Sequence, residues 1–212
     1  MTRTQNSSNE RFRSMEELPT GGSQPSLCVA YLLLSGTSGW ALKQTSATSC
    51  TYALGTFSFL LGHSLLGFLH TTHPDPGKII KKIFRQTSLL AEIAPLALLN
   101  AEFYLLTGFA KEYAYAHLAT ALLPIAAQFL MEERTQSVVD VAIFGNLGSM
   151  IYLQVMKETG VWTGGLIALT ALNHFVFKKL SSRYEIPKVE MVTIGLSFFT
   201  VFAVNCLKDL KA

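Results

Sequence analysis

The chain has 212 residues, half of them apolar and 15% charged, with a net charge of +3. Soluble domains usually carry about 25% charged residues, so the composition argues against one, and the charge is too mild for a nucleic-acid partner. The charged residues fall in short runs between long apolar stretches, the pattern of a chain whose solvent is lipid.

Residues 1–25 are polar, hold Pro19, Gly21, Gly22 and Pro25, and read as a disordered cytosolic tail. Glu10, Glu16 and Glu17 do not suit a presequence, and the order of a cleaved signal peptide is missing. From 26 to 207 follow apolar stretches that approach the roughly 20 residues a helix needs to span hydrocarbon. They are Ser26–Leu42, Ser46–His70, Ser88–Ala110, Tyr113–Met131, Val138–Met156, Val161–Phe177 and Val189–Leu207, and residues 208–212 form a short C-terminal tail. The first is the weakest, with Ser35, Gly36, Thr37, Ser38 and Gly39 in a row. His73-Pro74-Asp75-Pro76-Gly77 and Pro187 break the chain between spans. No strand-like alternation persists, so a barrel is excluded. The predicted fold is all-α, a polytopic integral membrane bundle of about seven transmembrane helices.

Basic residues orient it. Of the 17 Lys and Arg residues, all but Lys43, Lys111, Lys157, Lys208 and Lys211 fall on the side that holds the N-terminus. Positive charge stays cytosolic, so the N-terminus is predicted inside and the C-terminus outside, and Asn6-Ser7-Ser8 should escape glycosylation. Spans of about 17–21 residues suit the endoplasmic reticulum or another endomembrane better than the plasma membrane.

Chemistry-bearing residues are few. Glu92 and Glu102 in the third span are the most informative, because a carboxylate at a helix centre costs about 2.5–3.5 kcal/mol on insertion scales. Asn100 lies between them and Pro95 loosens the helix, yet Glu92 is turned about 80° from both Asn100 and Glu102 on a regular helix. Lys82 or Arg85 is the expected partner of Glu92. His117, Pro124 and Gln128 make a polar line on the fourth span, and Thr163, Thr170, Asn173 and His174 share an arc on the sixth. On the seventh, Thr193, Ser197 and Thr200 should face the bundle and Phe198, Phe199 and Phe202 the lipid. These faces either bond helices together or line a polar pathway.

His63 and His70 share a face but supply only two ligands, short of the three that zinc catalysis needs, and no metal or cofactor is expected. Cys28, Cys50 and Cys206 read as small apolar residues. Gly145-Asn146-Leu147-Gly148-Ser149, Ser35 to Gly39 and Gly164-Gly165 supply small residues for close helix approach, with Trp162 an interface anchor. Lys78, Lys81, Lys82 and Arg85 form a basic cluster able to hold anionic lipid headgroups at about 1 kcal/mol per charge.

Two stretches carry a resemblance. Ala94-Pro95-Leu96-Ala97-Leu98-Leu99-Asn100-Ala101-Glu102-Phe103-Tyr104 with Thr107-Gly108-Phe109, and Thr159-Gly160-Val161-Trp162-Thr163-Gly164-Gly165, resemble the transmembrane protein 276 family of small multi-pass animal proteins. The resemblance implies a fold and a membrane location, and no functional residues.

The orientation and the missing Asp-Arg-Tyr and Asn-Pro-x-x-Tyr signatures argue against a G-protein-coupled receptor. Three function classes stay open. The first is a non-enzymatic accessory or organising component of a membrane complex, with lipids and other membrane subunits as partners. The second is a transporter or channel for a small solute, proton or lipid, routed past Glu102. The third is an intramembrane lipid-modifying enzyme, which needs at least two of His63, His117, His174 and the carboxylates within about 3 Å of a shared point. No catalytic residue is assigned.

Overall fold

Turn chemistry sets most of the helix boundaries. The structure, a computed structural model, describes residues 25–45, 50–130, 135–177, 179–180 and 187–211, with only the backbone at 124, 127–130 and 135–136. Helix α1 covers Pro25–Gln44, α2 Thr51–Thr72, α3 Lys78–Leu106, α4 Lys111–Leu130 and α5 Thr135–Lys157. Helix α6 runs over Val161–Ala171 and passes into a π-helical turn at Leu172–Val176, and α7 covers Lys188–Asp209. The tail of residues 1–24, Arg134, Lys178, Arg183 and the side chains of Pro124 and Gln128 lie outside the described residues.

The fold is all-α among the described residues, and five helices, α1, α2, α3, α5 and α7, are long and apolar enough to cross a membrane. The α6 segment Val161–Val176 is a shorter apolar helix. Large apolar side chains stand exposed on the outer faces, Val29, Leu32, Val141, Phe144 and Val155 among them. A soluble monomer rarely leaves so much apolar surface uncovered.

Helix α3 starts ten residues before the expected span, at Lys78, so its first two turns display Lys78, Lys81, Lys82 and Arg85, all exposed. It ends at Leu106 in a Schellman turn. Gly108 takes φ 76°, its N–H bonds the Leu105 carbonyl at 3.2 Å, and the Phe109 N–H bonds the Tyr104 carbonyl at 3.0 Å. The left-handed conformation favours glycine there. Contact of the Phe109 and Tyr104 rings, with centroids 5.1 Å apart, closes the motif.

Apart from its basic start α3 is apolar on nearly every side, and it is the most buried span. It packs against α2, α4 and α5, while α1 packs against α2 and α7, and α6 against α5 and α7. The core lies between them, built from Ile93, Leu96, Leu99 and Phe103 of α3 with Phe57, Ile143, Met150, Leu166 and Phe199.

Two expectations about helix faces are corrected. Phe199 faces the core at 3% exposure, not lipid, because α7 is covered by α1 on one side and α6 on another. Phe198 does face outward, and Phe202 lies half-buried on Gly165 and the Trp162 ring. Thr193, Ser197 and Thr200 are buried as expected. Gly36, Gly39, Gly145 and Gly148 do not mediate helix contact, since a Cβ on any of them would meet open space. Close approach occurs at Gly67, where a Cβ would overlap the Tyr31 ring, and at Gly165 and Gly195.

Candidate functional site

The polar side chains that the sequence singled out gather in three places, each set between different helices. At the first, Cys50 occupies the N-cap position of α2 without a side-chain cap bond. Helix N-termini leave N–H groups unpaired, and a cap oxygen ordinarily takes those of the second and third residues. Glu102 of α3 does so from across the interface. Its Oε2 accepts the N–H of Tyr52 at 2.7 Å and of Ala53 at 3.1 Å, and Glu102 is 4% exposed. The carboxylate also meets the positive end of the α2 dipole. Glu102 is therefore a cap in trans, which accounts for a carboxylate at this depth.

At the second place, midway along α3, Glu92 Oε1 pairs with Lys188 Nζ of α7 at 2.9 Å. This corrects the expected pairing with Lys82 or Arg85. Those residues stand exposed on the first turns of α3, and Lys81 pairs with Asp75 at 3.6 Å. Pro95, without an N–H, removes one backbone bond from α3 beside the pair. A cavity of about 30 Å³ lies there, lined in part by Glu92, Pro95, Thr170, Asn173, His174 and Lys188. Such a volume has room for about two waters.

The π-helical turn shapes the far wall of this cavity. It sends Asn173 against Gly195 of α7, and sends His174 to α5, where Nε2 meets Asp140 Oδ1 at 2.8 Å. Asn173 and His174 thus serve two different helices instead of one polar arc. The Asn173 Oδ1 is buried without a partner. π turns inserted in α-helices recur at functional sites.

The third place joins α3, α4 and α5. Asn146 donates through Nδ2 to the Ala142 carbonyl at 2.8 Å and to Thr120 Oγ1 at 2.9 Å. Its Oδ1 accepts from Asn100 Nδ2 at 3.1 Å and faces His117 Nδ1 at 2.8 Å. His117 Nε2 in turn meets Ser149 Oγ at 2.9 Å, and Ser149 Oγ meets the Tyr104 hydroxyl at 2.6 Å. Asn100 also donates to the Asn146 carbonyl at 2.9 Å. Asn100, Asn146, His117 and Tyr104 are all buried, and Ser149 is half-buried.

The six candidates from sequence thus divide among three sites: Glu102 alone, Asn100 with His117, and Glu92 with Asn173 and His174. The histidines do not converge. His63 bonds Thr87 through Nδ1 at 3.1 Å, and its ring and that of His70 both stack on Phe84.

Residues 48–207 match the family described as a domain of unknown function, DUF4791. The chain belongs to this family. No curated protein and no solved structure matches it. The DUF4791 stretch takes in α2 to the last turn of α7 and leaves out α1, and all three polar places lie within it.

Among the partners in the DUF4791 stretch that went unread in the sequence are Asp140, Asn146, Ser149 and Lys188. Asp140 carried a usable signal, an acid just inside an apolar span. Asn146 and Ser149 stand three apart, hence on one face of a helix, but lie within a run whose glycines suggested packing. Lys188 reads as a loop charge until α7 is seen to begin there.

Proposed function

We propose that the chain is a seven-span endomembrane protein, with its N-terminus cytosolic and its C-terminus on the opposite side. It acts as an accessory or organising component of a membrane complex, through the lipids and subunits it holds. Helices α4 and α6 complete the seven spans. Lys78, Lys81, Lys82 and Arg85 then lie at the cytosolic surface, placed for anionic headgroups.

Glu102 carries this reading. A transport route needs a carboxylate free to take up its cargo, whereas this one is engaged by two backbone N–H groups of α2. The inner Thr and Ser hydroxyls of α7 likewise bond their own helix, as Thr193 does to the Val189 carbonyl and Thr200 to that of Leu196. Native mass spectrometry of the tagged protein, purified gently from its own cells, tests the proposal. A stoichiometric protein partner is the expected result. A lone monomer or homo-oligomer retaining a small solute would contradict it.

One observation favours a second reading, a route for a proton or small solute. The cavity beside Glu92 and Lys188 is polar on one wall and meets an unpartnered Asn173 oxygen. Flux in reconstituted vesicles that falls on Asn173→Ala with the fold intact would support it, and unchanged flux would remove it.

A further inference from the structure

We propose that Ser149 is an activated nucleophile, with His117 as its base and Asn146 as the group that orients the base, and that it takes acyl esters of membrane lipids. The inference goes beyond the accessory role and stands on its own geometry, since a subunit that holds partners can also carry a reactive serine.

The direction of the protons on Asn146 and His117 follows from acceptors that cannot donate. The Ala142 carbonyl only accepts, so the Asn146 atom at 2.8 Å from it is the amide nitrogen. Asn146 Oδ1 is then the atom that faces His117 Nδ1, at 2.8 Å, and Nδ1 carries the proton of the neutral ring. Nε2 is left as the acceptor, and at 2.9 Å it receives the Ser149 hydroxyl proton. An amide in the third position of such a triad fails when it leaves the imidazole in the wrong tautomer. Here the Ala142 carbonyl and the Thr120 hydroxyl hold the nitrogen away from the ring, so the tautomer is the productive one. Nucleophile, base and orienting group are all within hydrogen-bond reach, the arrangement that nucleophilic catalysis requires.

Access comes from the glycines. A helical side chain leans toward the N-terminus of its helix, over the preceding turn. Ser149 therefore leans toward Gly145, which is exposed and where a Cβ would meet open space, as it would at Gly148. The two glycines lie on the outer, apolar face of α5, beside the exposed Phe144, Ile151 and Tyr152. Ser149 is eight residues from the helix end at Lys157, about 12 Å along the axis. A group reaching it from that face is an acyl chain and its ester, not a water-soluble substrate.

The step balances without a further cofactor. Ser149 Oγ bonds to the acyl carbon as its proton passes to His117 Nε2. The Tyr104 hydroxyl, 2.6 Å from Oγ, donates to the Ser149 carbonyl at 3.1 Å in the resting site and turns its proton to the oxyanion as the charge develops. The acyl carbon–oxygen bond of the ester then breaks, and the leaving alcohol takes the proton from Nε2. Water, or a second alcohol, attacks the acyl-serine, and its proton returns through His117 to restore Ser149.

The test uses the full-length protein in mild detergent and a long-chain alkyl fluorophosphonate. This probe bonds its phosphorus to an activated serine oxygen and releases fluoride. Peptide mass spectrometry should find wild-type protein labelled on Ser149. Ser149→Ala should abolish that label, and His117→Gln should slow labelling at least tenfold, with circular dichroism and gel filtration unchanged. A folded wild-type protein left unlabelled at Ser149 overturns the proposal. So does a folded His117→Gln variant labelled at the wild-type rate. If His117→Gln does not fold, labelling of the wild type on Ser149 decides the question by itself.

Discussion

Glu102 Oε2 lies 2.7 Å from the backbone nitrogen of Tyr52, so the first turn of α2 is capped by a residue of α3. The bond ties helix formation in one segment to packing against another. Glu102→Ala leaves the N–H groups of Tyr52 and Ala53 unpaired and should cost about 2–3 kcal/mol. Glu102→Gln retains an acceptor oxygen and loses the charge–dipole part, about 1 kcal/mol. Unfolding titrations in detergent should rank wild type above Gln above Ala. An Ala variant as stable as wild type would show that the cap is not a source of stability.

A second prediction concerns the contact of α1 with α2. A Cβ at Gly67 would run into the Tyr31 ring, itself fully buried. Gly67→Ala should destabilise by about 1–3 kcal/mol through overpacking. Gly145→Ala and Gly148→Ala, which meet open space inside α5, should instead raise stability by about 0.4–1 kcal/mol through the backbone. The same detergent melts measure all three, and equal effects would mean that α1 does not pack as described.

The Glu92–Lys188 pair joins α3 to α7 across 96 positions of sequence. Glu92 is 18% and Lys188 34% exposed, so solvent screens the pair in part. Glu92→Lys or Lys188→Glu alone places like charges together, and each should lower stability by about 1 kcal/mol. The double charge swap should recover most of the loss. A double variant no better than the sum of the single ones would break the assignment.

At the third polar place, Asn146→Leu strips partners from Asn100, His117 and Thr120 at once. It should cost about 2–4 kcal/mol, more than Thr120→Val, which removes one bond to Asn146 and one to the His117 carbonyl of its own helix. Thermal melts of the two variants compare them directly, and equal losses would show that Asn146 is not the hub.

Much of this was legible in the sequence, since apolar runs bounded by His73 to Gly77 and by Pro187 bracket the helices to within a few residues. The exception is α3, whose basic first turns are too polar to join an apolar run yet continue the helix. The irregularity of the Glu92, Asn100 and Glu102 group was also legible, because 3.6 residues per turn separates them. Their partners were not. Tyr52 and Ala53 offer Glu102 only backbone N–H groups, which no side-chain pattern displays, and Lys188 meets Glu92 only once α7 lies beside α3. The inward turn of Phe199 was missed for a related reason: a helix with neighbours on two sides buries more than one stripe.

Glycosylation mapping in microsomes decides the topology. With seven spans and a cytosolic N-terminus, Asn6 stays unmodified, while an acceptor site joined by a spacer after Ala212 is glycosylated. Modified Asn6, or an unmodified C-terminal site, would contradict seven spans with the N-terminus in the cytosol.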